Sequence, residues 1–188
     1  MLDLGAAPGS WSQVAVERLK SNIKESKRSE AQIDYDKQIK VISVDLQFFV
    51  EVPGTLHLPH TDAKDYDKIS AACTQCWGED NKVQVVLSDM MHNLTGEGGT
   101  DHIKSVELCA FALKFAFQHL EKNGTVVLKV YQGSSLEKLE FLISRYFRTV
   151  NRFIPTASRK ESRELFIIAR GFKGYHKKRG YDLKDHKK

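Results

Sequence analysis

The chain opens with Met1-Leu-Asp-Leu-Gly-Ala-Ala-Pro-Gly-Ser-Trp-Ser12, a short apolar strand that runs through a turn of small residues into an amphipathic helix. In an α/β sheet such a turn lies at the carboxyl end of the strand, where ligands bind. Gly5 and Gly9 have no Cβ, so the backbone there can approach a bound molecule closely. The spacing differs from the G-x-G-x-x-G of dinucleotide-binding folds, which argues against a nicotinamide oxidoreductase.

Length and composition indicate one globular domain, which we place at residues 1–172. The 188 residues are 41% hydrophobic and 28% charged, enough for a single substantial core. No apolar run approaches the roughly 20 residues needed to span a bilayer, and we expect no signal peptide before Leu2. The net charge of +5 suits a nucleic-acid partner. Much of that excess lies in residues 173–188, which we expect to form a flexible basic tail or an arm that contacts phosphates.

The three cysteines do not indicate a disulfide scaffold. Cys73 and Cys76 have the C-x-x-C spacing of metal and redox sites, but no second pair follows, and both fall in a predicted helix. We therefore predict buried thiols and no metal site.

Apolar runs alternate with segments of helical periodicity along the chain. The predicted strands are 2–4, 40–45, 55–58, 83–89, 125–130, 149–154 and 164–169, and the predicted helices are 10–21, 65–77, 102–122 and 136–147. Polar loops are predicted at 22–39 and 92–101, and Val14, Val16 and Leu19 are predicted to face inward. This alternation indicates an α/β fold with a mostly parallel sheet covered on both faces. The last two strands can form a hairpin, which gives seven strands with one antiparallel.

Acidic residues lie at the ends of the first four predicted strands: Asp3, Asp45, Asp62 and Asp89. These strand ends converge on one crevice, where an acid after the second strand can bind ribose hydroxyls. Asp45 is therefore predicted to bind a ribose, and Asp62 is predicted to accept a hydrogen bond from an adenine amino group. Any one of these carboxylates could instead cap a helix or lie solvated in a loop. Four of them at one edge of the sheet favour a ligand site.

Lys129 lies inside the apolar run Thr125-Val-Val-Leu-Lys-Val130, where a lysine is costly unless it is paired or at the sheet's edge. Asp89 and Glu164 are predicted to lie at the same crevice. A lysine can take a proton from a hydroxyl only if its pKa drops from ~10.4 toward neutrality, by desolvation or a neighbouring cation. Carboxylates act in the opposite direction, so these two would orient the lysine and the substrate. The alternative is a strand-end lysine whose ammonium reaches solvent.

Four ordered motifs resemble the FtsJ/RrmJ family of S-adenosyl-L-methionine-dependent RNA ribose 2′-O-methyltransferases. They are residues 2–13, Leu87-Ser-Asp-Met90 with Asn93-x-Thr-Gly96, Leu128-Lys-Val-Tyr-Gln-Gly133 and Ser158-Arg-Lys-Glu-Ser-Arg-Glu164. The resemblance implies a Rossmann-like methyltransferase fold, S-adenosyl-L-methionine as cofactor and RNA as substrate. With Gly5 of the turn, it implies cofactor contacts at Gly9, Trp11, Asp45, Asp62 and Asp89. It implies catalytic roles for Asp89, Lys129 and Glu164.

The segment Asp101-His-x-x-Ser-x-x-Leu-Cys109, together with Ala157-Ser-Arg-Lys-Glu-Ser162, is most similar to the mitochondrial branch of the family. That branch methylates a uridine of large-subunit ribosomal RNA. The resemblance implies a mitochondrial location, with the cytoplasm or nucleus as alternatives. It implies ribosomal RNA as the partner, either free or within a large-subunit particle, and we expect a monomer.

The chain departs from the family at two places. The family's first catalytic lysine lies upstream of the glycine turn, so we expect the N-terminal part of the fold to be missing and the 188-residue form to have weak or no activity. Where the family usually has Asp-Met-Ala-Pro, this chain reads Asp89-Met-Met-His92. The alternative function is a non-catalytic RNA-binding or ribosome-assembly factor that keeps the fold.

Basic and aromatic side chains are the candidate RNA contacts. Cations that could bind phosphates are Lys24, Lys27, Arg28, Arg159, Lys160 and those of the tail. Phe48, Phe49 and Tyr131 could stack on bases, with packing in the core as the alternative for each.

Overall fold

A seven-stranded sheet forms the centre of the part of the chain that the computed structural model describes, residues 1–26, 40–155 and 163–174. The elements in chain order are β1 (Leu2–Leu4), α1 (Ser10–Ser26), β2 (Val41–Val44), β3 (Thr55–Leu58), α2 (Tyr66–Trp77), β4 (Val83–Ser88), α3 (Gly98–His119), β5 (Leu120–Tyr131), α4 (Leu136–Tyr146), β6 (Phe147–Phe153) and β7 (Glu164–Phe172). The strand order is β3-β2-β1-β4-β5-β7-β6, and β7 runs antiparallel to both neighbours. The predicted fold, with one antiparallel strand, is confirmed.

The order of the strands reverses between β1 and β4, which are parallel neighbours. From β1 the chain builds outward to β2 and β3 on one side, whereas β4 and β5 extend the sheet on the other. At such a switch point the loops leave the sheet in opposite directions and open a crevice at the carboxyl ends of the strands. The backbone N–H of Asp89 donates to the carbonyl of Leu4 over 3.0 Å at this point.

Helices α2, α3 and α4 cover one face of the sheet. Alternate strand residues such as Leu4, Val86 and Leu128 are buried there in one cluster with Ile69 of α2 and Phe115 of α3. Burying side chains of this size contributes about 1.5–3 kcal/mol each. This face therefore supplies most of the apolar stabilisation of the described residues.

Helix α1 packs on the opposite face, where Val16 contacts Val41. Asp3 and Ser43 point to the same face, and both are buried. Ser12 of α1 donates its hydroxyl to Asp3 Oδ2 over 2.6 Å, and its Oγ lies 2.7 Å from Ser43 Oγ. Polar contacts as well as apolar ones thus fix α1, and helices lie on both faces as predicted.

Several element boundaries differ from the prediction. Helix α1 continues to Ser26, so the first part of the predicted 22–39 loop is helical, and residues 27–39 lie outside the described residues. Helix α3 begins at Gly98 instead of residue 102, because the Asp101 N–H already bonds to the carbonyl of Glu97 over 2.9 Å. It ends at His119, where β5 starts. The inward prediction for Val14 is wrong, since its side chain is 55% exposed.

The folded domain includes Lys173, which we predicted to begin the tail. Its backbone N–H donates to the Tyr146 carbonyl over 2.8 Å, and its Nζ donates to the Ser144 carbonyl over 2.9 Å. A cation at these carbonyls also offsets the negative end of the α4 dipole. Residues 175–188 of the predicted tail lie outside the described residues.

The described residues contain no group of three or more His, Cys, Asp and Glu side chains that could hold a metal. Cys73 is buried and Cys76 half-buried in α2. Burial raises the pKa of the Cys73 thiol to about 12, which makes it an inert packing group. Within the same residues, none of the helices combines the length and apolar character that crossing a bilayer requires.

Asp3→Asn tests the buried carboxylate beneath α1. Burial raises the pKa of Asp3 from 3.8 to about 6, because it disfavours the charged form. The wild type therefore has its full folding stability below pH 4, where Asp3 is protonated in both the folded and the unfolded state, and it loses stability as pH rises through 6. Asparagine keeps an acceptor for Ser12 without the charge. Relative to the wild type, the variant should gain up to roughly 3 kcal/mol of unfolding free energy between pH 4 and pH 8.

Urea unfolding across this pH range measures the difference. The exposed carboxylate of Asp62 is the control, and Asp62→Asn should show no comparable trend. Parallel stability curves for the wild type and Asp3→Asn would show that the Asp3 charge is not penalised in the folded state.

Candidate active site

The glycine turn between β1 and α1 lies at the switch point of the sheet. Gly5 and Gly9 have φ values of +79° and +116°, which L side chains rarely adopt. A Cβ on Gly5 would lie 2.7 Å from the backbone nitrogen of Met90, and one on Gly9 would lie 2.9 Å from the side chain of Val52. The two glycines therefore allow close contacts within the chain, in addition to the approach of a ligand that the sequence predicts.

Asp45 ties the glycine turn to the end of β2. Its Oδ2 accepts the Ala7 N–H over 2.9 Å, and its Oδ1 accepts the Gln47 N–H over 2.7 Å. One carboxylate thus fixes two loops at the crevice. Each oxygen of a carboxylate has a second lone pair, so Asp45 can still accept hydrogen bonds from a ligand.

A cavity of about 220 Å³ opens beside this turn. Four of the predicted cofactor residues line it: Gly5, Asp45, Asp62 and Asp89. Much of the remaining wall is apolar and was not predicted; it includes Met90, Met91, Leu108 and Phe111. Carboxylates on one side and apolar surface on the other suit a ligand that carries polar groups and a flat ring.

Two predicted cofactor residues, Gly9 and Trp11, are not among the residues that line this cavity. Trp11 packs against Phe166 with 5.3 Å between ring centroids. Phe166 is the cross-strand neighbour of Lys129 in the β5–β7 pair, so these rings lie on the same face of the sheet as the Lys129 side chain. The cofactor roles of Gly9 and Trp11 stay predictions.

The structure brings the three predicted catalytic residues together. Lys129 Nζ lies 3.1 Å from Asp89 Oδ1 and 3.9 Å from Glu164 Oε1. All three side chains are partly buried, and burial raises the pKa of Asp89 although the Lys129 ammonium opposes this shift. The amine is therefore held between two carboxylates at the carboxyl edge of the sheet.

Lys129 also contacts one lining residue of each of two cavities. Asp89 lines the 220 Å³ cavity, whereas Glu164 lines a second cavity of about 350 Å³ together with Asp101, Tyr131 and Arg163. The amine contacts both acids, so each cavity has a carboxylate in its wall that is paired with Lys129. This arrangement can bring a group bound in one cavity to a group bound in the other.

His92 replaces the proline that the family usually has in the loop after β4. Its Nε2 lies 3.0 Å from Asp101 Oδ1, which also accepts the N–H and the hydroxyl of Thr95 over 2.9 and 2.8 Å. These donors, the Thr95 backbone N–H first, hold the pKa of Asp101 well below its usual range. Since proline has no donor, His92 adds a loop contact to the wall of the second cavity.

The candidate RNA contacts divide into described and undescribed residues. Of the three aromatic candidates, Phe48 is 70% exposed, whereas Phe49 is 4% and Tyr131 is 9% exposed. Burial therefore favours the packing alternative for Phe49, which packs against His57 with ring centroids 4.2 Å apart, whereas stacking by Tyr131, which lines the 350 Å³ cavity, stays a prediction. Lys24 is exposed on α1. The remaining predicted cations, Lys27, Arg28, Arg159 and Lys160, lie outside the described residues.

The fold is that of an α/β methyltransferase, and comparisons with known proteins agree. A family described as FtsJ-like methyltransferase matches residues 1–172. The chain is 35% identical over 169 residues to the ribosomal RNA large subunit methyltransferase E of Rickettsia bellii, covering 90% of this chain and 68% of that protein. It is 36% identical over 173 residues to the protein of the same name from Acidiphilium cryptum, covering 92% of this chain and 67% of that protein.

This protein belongs to the FtsJ-like methyltransferase family, which confirms the resemblance at the level of the family. Among solved structures, a ribosomal RNA methyltransferase from Plasmodium falciparum aligns with a TM-score of 0.72 at 24% identity, over 93% of this chain and 86% of that one. Human methyltransferase-like protein 13, solved with SAH, aligns with a TM-score of 0.52 at 12% identity, over 97% of this chain and 74% of that one. These two structures share the fold of this protein.

Gly5→Ala tests the close approach of β1 to the residue after β4. Gly96 is a matched control because its φ of +82° resembles that of Gly5, yet a Cβ there would meet nothing within 4 Å. Alanine in this conformation costs about 1 kcal/mol at either position. At Gly5 the crowding against Met90 should add about 1–3 kcal/mol. Chemical unfolding measures both losses, and equal losses would contradict the tight contact at Gly5.

Proposed function

We propose that this protein transfers a methyl group from S-adenosyl-L-methionine to a ribose 2′-hydroxyl of ribosomal RNA. The observation that carries the proposal is the Lys129 amine, which lies 3.1 Å from Asp89 and 3.9 Å from Glu164, two carboxylates that line different cavities. A transfer between two bound molecules needs such an arrangement, with a proton acceptor where the two meet. The relatives named ribosomal RNA large subunit methyltransferase E support ribosomal RNA as the substrate.

The 220 Å³ cavity fits the cofactor in its chemistry. Asp45 and Asp62 offer acceptors for hydroxyl and amino groups, and the charge of Asp89 favours a sulfonium cation. An adjoining cavity of about 370 Å³ shares Ala7 and Gln47 with the first, so together they reach the ~300–1,000 Å³ of small-molecule sites. When bound, the cofactor supplies an electrophilic methyl group. The SAH held by the human fold neighbour supports this cofactor class.

Lys129 is the proton acceptor in this proposal. A ribose hydroxyl is a weak acid, so its proton must leave as the oxygen attacks the methyl carbon. The hydroxyl oxygen would take the methyl group as the bond between that methyl and the cofactor's sulfur breaks, leaving SAH, and the proton would pass to Nζ of Lys129, which must be the uncharged amine beforehand. Asp89 and Glu164 orient the amine beforehand and stabilise the ammonium that forms.

The finer assignment rests on the sequence resemblance. The motif that contains Asp101, His102, Ser105 and Cys109 supports a uridine of mitochondrial large-subunit ribosomal RNA as the methylated nucleoside, and a mitochondrial location. The 350 Å³ cavity beside Glu164 is the place we assign to that nucleoside.

Lys129→Met tests the proposed chemistry, since methionine keeps the alkyl chain and removes the proton acceptor. The rate of methyl transfer to an rRNA fragment should fall at least about 100-fold, the usual worth of a general base. Binding of SAH and RNA should change by less than about threefold. Radioactive methyl transfer and isothermal titration calorimetry measure the two quantities.

Lys82→Met is the matched control. Lys82 lies just before β4, at the amino-terminal end of that strand, and its Nζ donates to the Gln118 carbonyl. This variant should transfer methyl groups at the wild-type rate. A Lys129→Met protein that also kept the wild-type rate would remove the chemical role of Lys129.

A further inference from the structure

Lys129 is paired unequally with its two carboxylates, and a tyrosine hydroxyl bonds to the more distant one. Asp89 Oδ1 is 3.1 Å from the amine, whereas Glu164 Oε1 is 3.9 Å away. The Tyr131 hydroxyl donates to that same Oε1 over 3.2 Å. Tyr131 and Glu164 face each other directly in the β5–β7 register, so the hydrogen bond is built into the strand pairing.

Helix α3 fixes the backbone of Tyr131 on both sides. The Tyr131 N–H donates to Ser105 Oγ over 3.1 Å, and the Tyr131 carbonyl lies 2.8 Å from His102 Nδ1. The Ser135 N–H donates to His102 Nε2 over 2.9 Å, so that nitrogen is the acceptor and Nδ1 donates to the Tyr131 carbonyl. All these groups are at least partly buried. The end of β5 is therefore anchored, and the phenol has a set position.

We infer that Tyr131 is a positioning residue, whose hydroxyl holds Glu164 away from Lys129 so that a single close carboxylate, Asp89, pairs with the amine. The inference rests on the proposed function, in which Lys129 accepts the substrate proton. An amine between two close carboxylates stays protonated, and an ammonium ion has no lone pair with which to accept the substrate proton. Because the hydrogen bond from Tyr131 holds Glu164 back, the amine can lose its own proton and then accept the proton of the substrate.

The surroundings of the phenol support a lasting donor role. Burial, and after it the Glu164 carboxylate, raises the pKa of Tyr131 to about 12, so the hydroxyl keeps its proton at all assay pH values. Asp101 of α3 and Arg163 before β7 line the same cavity, and the His92 ring lies 6.5 Å from the Tyr131 ring. A change confined to the hydroxyl leaves these charged groups in place.

Tyr131→Phe removes the hydroxyl and keeps the ring. Glu164 is 35% exposed at its side chain, and in this variant it loses the hydrogen bond from Tyr131. The acidic limb of the pH–rate profile for single-turnover methyl transfer should move to higher pH by roughly half to one pH unit. The rate at the alkaline plateau should stay within about twofold of the wild type.

Tyr66→Phe is the matched control, because the Tyr66 hydroxyl also makes a 3.2 Å hydrogen bond, to the Phe111 carbonyl. Its pH profile should keep the wild-type position. An unmoved acidic limb in Tyr131→Phe, or an equal loss of rate at every pH, would overturn the inference.

A second measurement needs no methyl transfer and separates this inference from the proposed function. Urea unfolding of the wild type, Lys129→Met, Glu164→Gln and the double variant gives the coupling free energy between Lys129 and Glu164. This coupling should be several-fold larger when all four proteins also carry Tyr131→Phe. An unchanged coupling would show that the Tyr131 hydroxyl does not hold Glu164 away from Lys129. Full activity of Lys129→Met would instead overturn the proposed function, whatever the coupling shows.

Discussion

The charge balance around Lys129 is the constraint on which the site depends. A partly buried ammonium on a central strand is costly unless carboxylates compensate it, and here they come from two neighbouring strands. Asp89 follows β4, which is parallel to β5, so its position after the strand brings it to the carboxyl edge. Glu164 is the first residue of β7 and reaches the same edge only because β7 runs antiparallel. The single reversed strand therefore completes the site.

The sequence predicted the sheet, Lys129 and the two carboxylates beside its amine for physical reasons that act locally. A lysine within Thr125–Val130 needs partners, and acids at the ends of parallel strands meet at one edge. The same reasoning placed Asp45 and Asp62, which line the cavity together with Gly5 and Asp89. These predictions need only the direction and the burial of each strand, and both can be predicted from the hydrophobic runs in the sequence.

The rest of the site depends on contacts between distant segments, which no local pattern records. Asp45 bonds to the backbone of Ala7, and Tyr131 bonds to Glu164, in each case across more than thirty positions of the chain. The error at Val14 has a related cause, because α1 directs the polar Ser12 inward to the buried Asp3. Hydrophobic periodicity misses a helix face whose contacts are partly polar.

The most direct test of the account is mass spectrometry of ribosomal RNA from cells that lack this protein, complemented with the wild type or with Lys129→Ala. If Lys129 is the proton acceptor, one ribose 2′-O-methyl group should disappear, return with the wild-type protein and fail to return with Lys129→Ala. Ribosomal RNA with an unchanged set of ribose methyl groups in cells lacking the protein, or full restoration by Lys129→Ala, would contradict it.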